Sequence, residues 1–195
     1  MKDIIIKRMQ EHLKSVEGTL NNKELIEKIE LLATKIVEAY KRGGKLVMFG
    51  NGGSASDAQH IVAEFVNKFY INRPMLNALA LNVNTSVLTA IANDISYEDV
   101  FARQIEHLVD YKDIVVGLST SGKSKNVIKA LQIGRNKGAL TVGFTGESGG
   151  LVKDFVDILI NVPSNNTPRI QEVHIIIGHI ISELVEKELF GKESV

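Results

Sequence analysis

From Lys45 onward, apolar runs of strand length alternate with segments of helical spacing. The runs fall at 45–49, 76–81, 113–118, 139–144 and 157–162, and the helical segments at 54–69, 84–93, 97–109 and 124–137. A strand followed by a helix returns through a crossover, so the next strand lies parallel to the last. This pattern predicts an α/β fold: a five-stranded parallel sheet between two layers of helices. Two helices should precede it. Residues 3–18 place Ile5, Met9, Leu13 and Val16 on one stripe, and residues 22–42 do the same with Leu25, Ile29, Leu32, Ile36 and Val37 before Gly43-Gly44. These helices must pack outside the sheet or on another subunit. Segment 151–155 is long enough for one turn, and Pro163 to Pro168 reads as a loop. The final helix, 169–189, is apolar almost all round, so it should be buried on several sides, in part at a subunit interface. No repeat or linker divides the chain, which predicts a single domain over 1–195 with its α/β core at 45–190.

Lys plus Arg and Asp plus Glu number 23 each. That balance argues against a general nucleic-acid or membrane-surface binder, which needs a basic excess. The absence of cysteine excludes a disulfide frame, a thiolate nucleophile and a cysteine zinc site. Met1-Lys2-Asp3 opens an amphipathic pattern rather than a secretory signal, and no apolar run reaches the ~18 residues of a membrane span, so a cytoplasmic protein is expected.

Three motifs carry chemistry. Gly50-Asn51-Gly52-Gly53-Ser54-Ala55 follows a strand and opens a helix, where free N–H groups and the helix dipole receive anions. It fits a dinucleotide fingerprint, but the next strand ends Ala80-Leu81-Asn82-Val83-Asn84, without the acid that would hold a ribose. The helix it opens carries His60 and Glu64, four residues apart and therefore on one face. The second motif, Gly117 to Ser124, fits a nucleotide P-loop, yet no strand ends in the carboxylate that a magnesium nucleotide requires. Ser119, Thr120, Ser121 and Ser124, with Gly122 between them, suit a single phosphate ester instead. The third motif places Gln171, His174 and His179 on the apolar final helix. A polar group there costs several kcal/mol if unpaired. His60, Glu64, Gln171 and a histidine form an N/O set that zinc accepts, and spacing alone does not choose between His174 and His179. His107 reads as a surface residue.

With these residues the chain resembles the phosphoheptose isomerases of the sugar isomerase (SIS) fold over essentially its full length. The shared stretches are Gly-Asn-Gly-Gly-Ser at 50–54, Asp-Ala-x-His at 57–60, Asn-Arg-Pro at 72–74, Asn-Asp at 93–94, Ser-Thr-Ser-Gly at 119–122 and Arg-Ile-Gln-Glu-x-His at 169–174. The resemblance implies a flavodoxin-like SIS domain that converts sedoheptulose 7-phosphate to D-glycero-D-manno-heptose 7-phosphate for ADP/GDP-heptose biosynthesis. It implies that Asn51, Gly52, Gly53, Glu64, Asn93, Asp94 and Gln171 contact substrate, and that Ser119, Thr120, Ser121 and Ser124 hold its phosphate. It implies zinc on His60, Glu64, Gln171 and His179, with Glu64 and His179 as the acid–base pair, which selects His179 over His174. It also implies a homotetramer with sites between subunits, the 1–43 helical pair serving assembly. Asn67, Lys68 and Lys123 depart from residues common in the family. The stretch from Ala78 to Asp94 is also similar to a non-catalytic relative, the DnaA initiator-associating protein, so a phosphosugar- or protein-binding module is the alternative. Glu64 and His179 favour the enzyme. Gln171 and His179 are eight residues apart, about 12 Å of helix. One of the two is therefore expected from a neighbouring subunit.

Overall fold

The structure is a computed structural model and describes residues 1–191. Among them are seven α-helices and five strands. α1 (Lys2–Leu20) and α2 (Lys23–Lys41) lead into β1 (Leu46–Gly50), α3 (Gly53–Val66) and β2 (Ala78–Ala80). α4 (Thr85–Asp94), α5 (Ala102–Leu108), β3 (Ile114–Ser119), α6 (Lys125–Asn136), β4 (Leu140–Thr145), β5 (Ile158–Asn161) and α7 (Thr167–Phe190) follow. Every strand pairing is parallel, in the order β2-β1-β3-β4-β5. No helix among the described residues is long and apolar enough to cross a membrane.

The period of two along each strand divides the core. Leu46, Met48, Ile114, Val116, Val142 and Phe144 face α2, α3 and α7, joined there by Leu32, Ile36, Ile61, Phe65, Ile177 and Ile181. Val47, Phe49 and Val115 face the opposite layer, where they meet Phe101, Ile105, Val127 and Leu131 of the α5–α6 side. A strand covered on both faces has no polar side, so β1 and β3 are buried at every position.

Several expected boundaries shift: the 76–81 run pairs as a strand only at Ala78–Ala80, and α7 begins at Thr167, inside the expected 163–168 loop, because Pro168 fits the first turn of a helix. The helix expected over 97–109 divides into a 3₁₀ turn at Tyr97–Asp99 and α5, with Val100 and Phe101 buried at the break. The helix expected to reach residue 69 ends at Val66. The N–H groups of Phe69, Tyr70 and Ile71 leave the helical ladder because a buried carboxylate, Glu186 of α7, accepts all three. Segment 151–155 makes the expected single turn, a 3₁₀ helix at Val152–Phe155. On α1 the apolar stripe remains open, with Ile5, Met9 and Leu13 exposed.

Candidate active site

The sheet order reverses between β1 and β3. α3 leaves β1 towards β2 while α6 leaves β3 towards β4, so the two helix N-termini border one crevice beyond Gly50 and Ser119. The serine loop lies there, held by its own atoms and by the N–H groups of Gly146, Leu151 and Val152, which donate to the Thr120 and Gly122 carbonyls. Ser119 Oγ donates to Ser124 Oγ at 2.9 Å, and Gly122 N donates to the Ser119 carbonyl at 2.9 Å. Lys123 N reaches Ser121 Oγ at 3.2 Å. Gly122 takes φ +63°, and a Cβ there would stand 2.2 Å from the Gly149 carbonyl oxygen, so only glycine closes this turn. The turn brings the hydroxyls of Ser119, Ser121 and Ser124 to the start of α6, a setting suited to a phosphate.

Across the crevice, Asn51 is locked by groups that the sequence did not reveal. Its amide pairs reciprocally with that of buried Asn126, each Nδ2 donating to the other's Oδ1 at 2.9 Å. Tyr97 also donates to Asn51 Oδ1 at 2.9 Å. No spacing rule singles out Asn126 or Tyr97, because the contacts span 75 and 46 residues. Gly52 and Gly53 are exposed at the start of α3. Asn93 and Asp94 end α4, exposed and bonded to each other at 2.7 Å.

The third group forms where α7 lies along α3. A Cβ on Gly178 would sit 2.4 Å from Ile61 Cδ1, so the absence of a side chain permits the close approach. The next residue, His179, points its Nε2 at His60 Nε2, 3.3 Å away, and His60 Nε2 stands 3.2 Å from Glu64 Oε1. The donor atoms of the three all lie within 4.8 Å of one another. Tetrahedral zinc, with bonds of about 2.0–2.1 Å, holds neighbouring donors about 3.3 Å apart, so two imidazoles and a carboxylate at these separations fit that ion. Gln171 lies elsewhere. Its Nε2 is 3.5 Å from Ser54 Oγ, and a Cβ on Gly53 would fall 2.6 Å from it, at the crevice end of α3. The single chain thus gathers His60, Glu64 and His179 but leaves Gln171 about two helical turns away.

Two neighbouring groups have displaced pKa values. Burial pulls His174 down to about 4, although a hydrogen bond to the Thr145 carbonyl counters it; this is a neutral core histidine packed edge-on to Phe144. Burial raises the Asp57 carboxyl to about 6, against the opposing charge of His60. His107 is on the surface. Arg73 and Glu186 form a buried ion pair that sequence reasoning passed over. The signal was available, since Glu186 follows Ser182 by one turn on the buried side of an otherwise apolar helix.

A family model described as SIS domain matches residues 9–146. A phosphoheptose isomerase of Aneurinibacillus thermoaerophilus is 49% identical over 195 residues, covering 100% of this chain and 98% of that protein. One from Roseiflexus sp. is 56% identical over 162 residues, covering 83% of this chain and 82% of the other. Among solved structures, a phosphoheptose isomerase from Francisella tularensis superposes with TM-score 0.91 at 31% identity, over 95% of this chain and 97% of that one. Another from Neisseria gonorrhoeae gives 0.90 at 33%, over 95% and 98%.

Proposed function

The chain belongs to the phosphoheptose isomerase family of SIS-domain sugar-phosphate isomerases, and from that premise we propose that it converts sedoheptulose 7-phosphate to D-glycero-D-manno-heptose 7-phosphate, an early step towards ADP- or GDP-heptose. The observation that carries this reading is the meeting of Glu64 and His179 beside His60, on a chain that also holds a hydroxyl cradle at its sheet crevice.

Ketose-to-aldose conversion moves one proton between carbons and another between oxygens. One group must lift a carbon-bound proton while another serves the oxygens. In this proposal Glu64 takes the proton from C1 and returns it at C2. His179 gives a proton to O2 and takes one from O1. Ser119, Thr120, Ser121 and Ser124 hold the phosphate. Asn51, Gly52, Gly53, Asn93, Asp94 and Gln171 hold the sugar. Zinc held by His60, Glu64, His179 and Gln171 would supply positive charge to the substrate oxygens as electrons shift towards them.

Within one chain, Gly53 at the crevice end of α3 and Glu64 near its other end are separated by about 16 Å of helix. The working site is therefore read as a joint one. His60, Glu64 and His179 of one subunit face the cradle and Gln171 of a neighbour in a homotetramer. The exposed apolar residues of α1, with Ile180 and Leu184 of α7, are its contact surfaces, and the 1–43 pair serves assembly.

The test is incubation with sedoheptulose 7-phosphate, with and without a chelator. Appearance of the aldose, lost on chelation and restored by zinc, is the expected result. Product from another ketose phosphate alone would correct the substrate. Binding without turnover of any ketose phosphate would make the chain a phosphosugar-binding module and defeat the reading.

A further inference from the structure

The Asn72-Arg73-Pro74 motif has no part in the chemistry above, yet it belongs to the most heavily bonded loop near it. After α3 the chain runs through residues 67–77 before entering β2. Most of this loop is exposed, including Asn67, Lys68, Tyr70, Asn72, Pro74 and Met75, so apolar burial alone does not hold it down. Glu186 does. Its carboxylate accepts from Phe69 N at 2.9 Å, Tyr70 N at 2.6 Å, Ile71 N at 2.8 Å and Arg73 Nε at 2.9 Å. The same guanidinium turns back to α3, donating to the carbonyls of Glu64 at 2.7 Å and Phe65 at 2.9 Å. Both charged side chains are 2% exposed.

Glu186 lies on α7 two turns beyond His179, and Arg73 holds the carbonyl of Glu64 itself. One buried pair thus joins the two helices that carry the proposed acid and base. The loop it secures lays the Phe69 ring over the His179 imidazole, with centroids 5.7 Å apart and planes 28° from parallel. A buried ion pair is by itself weak evidence of stabilisation, since desolvation offsets much of the attraction. What distinguishes this one is where its bonds end: at the backbone of Glu64 on one side and, through Phe69, at the ring of His179 on the other.

We propose that the 67–76 loop, fastened by Arg73 and Glu186, is a positioning device for the acid–base pair, with Phe69 as the residue that orients His179. This rests on the roles given to Glu64 and His179 above. A stacked ring restricts imidazole rotation and keeps Nε2 directed at His60 and Glu64. Loss of a group that orients a metal-binding histidine typically costs about 10- to 100-fold in metal affinity or activity.

The test compares Phe69→Leu with Phe69→Tyr in the full-length chain. Leucine keeps apolar bulk without a ring, whereas tyrosine keeps the ring. Phe69→Leu is expected to lower kcat and weaken zinc binding, measured against a competing chelator, by about 10- to 100-fold each. KM should stay within about twofold, because ground-state contacts are untouched. Phe69→Tyr should restore both. A crystal structure of Phe69→Leu without metal should show the His179 ring turned away from His60. Unchanged kcat and zinc affinity in Phe69→Leu, or equal losses in both variants, would overturn the proposal. Should the wild-type chain isomerise no ketose phosphate, the functional reading fails, while zinc affinity and the His179 ring orientation still decide the role of Phe69.

Discussion

The serine cradle lies at the sheet crevice beside the start of α3 and the imidazole–carboxylate trio further along that helix, and different forces hold them. The cradle is local. Ser119, Ser121, Gly122, Lys123 and Ser124 bond among themselves within six residues of chain, on a turn that glycine makes possible. The trio is remote. His60 and His179 are 119 residues apart and meet because Gly178 lets α7 settle on Ile61 and because Arg73 and Glu186 fasten the far ends of the two helices. Beyond its own strand and helix, the turn needs only the 146–152 segment, whose N–H groups reach the Thr120 and Gly122 carbonyls. A site made by packing inherits every shift of the two helices. The proposed binding end is thus the less demanding part of this molecule, and the proposed chemical end is the part most exposed to distant change.

That contrast can be tested in order of expected effect. Glu64→Gln and His179→Gln should each reduce turnover by roughly 10²–10⁴ with thermal unfolding unchanged, because a single positioned acid or base is worth that much. Near-normal turnover in both would remove the chemical end altogether.

The second test separates the two histidines of α7. His174 has its pKa pulled down to about 4 from 6.5. The unfolded imidazole takes a proton as pH falls below about 6.5, while the folded one does so only near 4. Its contribution to stability is therefore whole above 6.5 and lost as pH falls to 4, by about 3 kcal/mol. Asp57, raised to about 6, acts in the opposite sense, because the folded state keeps its proton to higher pH. The difference between wild type and His174→Gln isolates the histidine. Denaturant midpoints at pH 7 and pH 4 should diverge in wild type more than in the variant, and identical slopes would refute the assignment.

At the cradle, Ser124→Ala should raise KM about 10- to 100-fold with kcat nearly intact, the cost of one hydrogen bond to a charged group. A fall in kcat with KM unchanged would show that the two ends are not separable. The smallest effect is expected from Tyr97→Phe, which removes one neutral hydrogen bond from Asn51 and should raise KM by about tenfold or less.

Much of this was legible in the sequence. The alternation from Lys45 onward determined a parallel sheet with crossover helices, since strand and helix periods leave few other ways to bury the same residues. The hydroxyls and glycine of 119–124 announced a tight hydroxyl-bearing turn, and the spacing of His60 and Glu64 put them on one helical face. Composition excluded cysteine chemistry outright. The tertiary structure alone decided which distant groups meet: His179 with His60, Gln171 with Ser54 instead, Asn126 and Tyr97 on Asn51, Arg73 with Glu186. The reason is physical. Turns and helical faces follow from neighbours along the chain, whose spacing is fixed by backbone geometry, whereas contacts between α3 and α7 depend on how side chains interlock once the core closes, and no short stretch of sequence contains both partners.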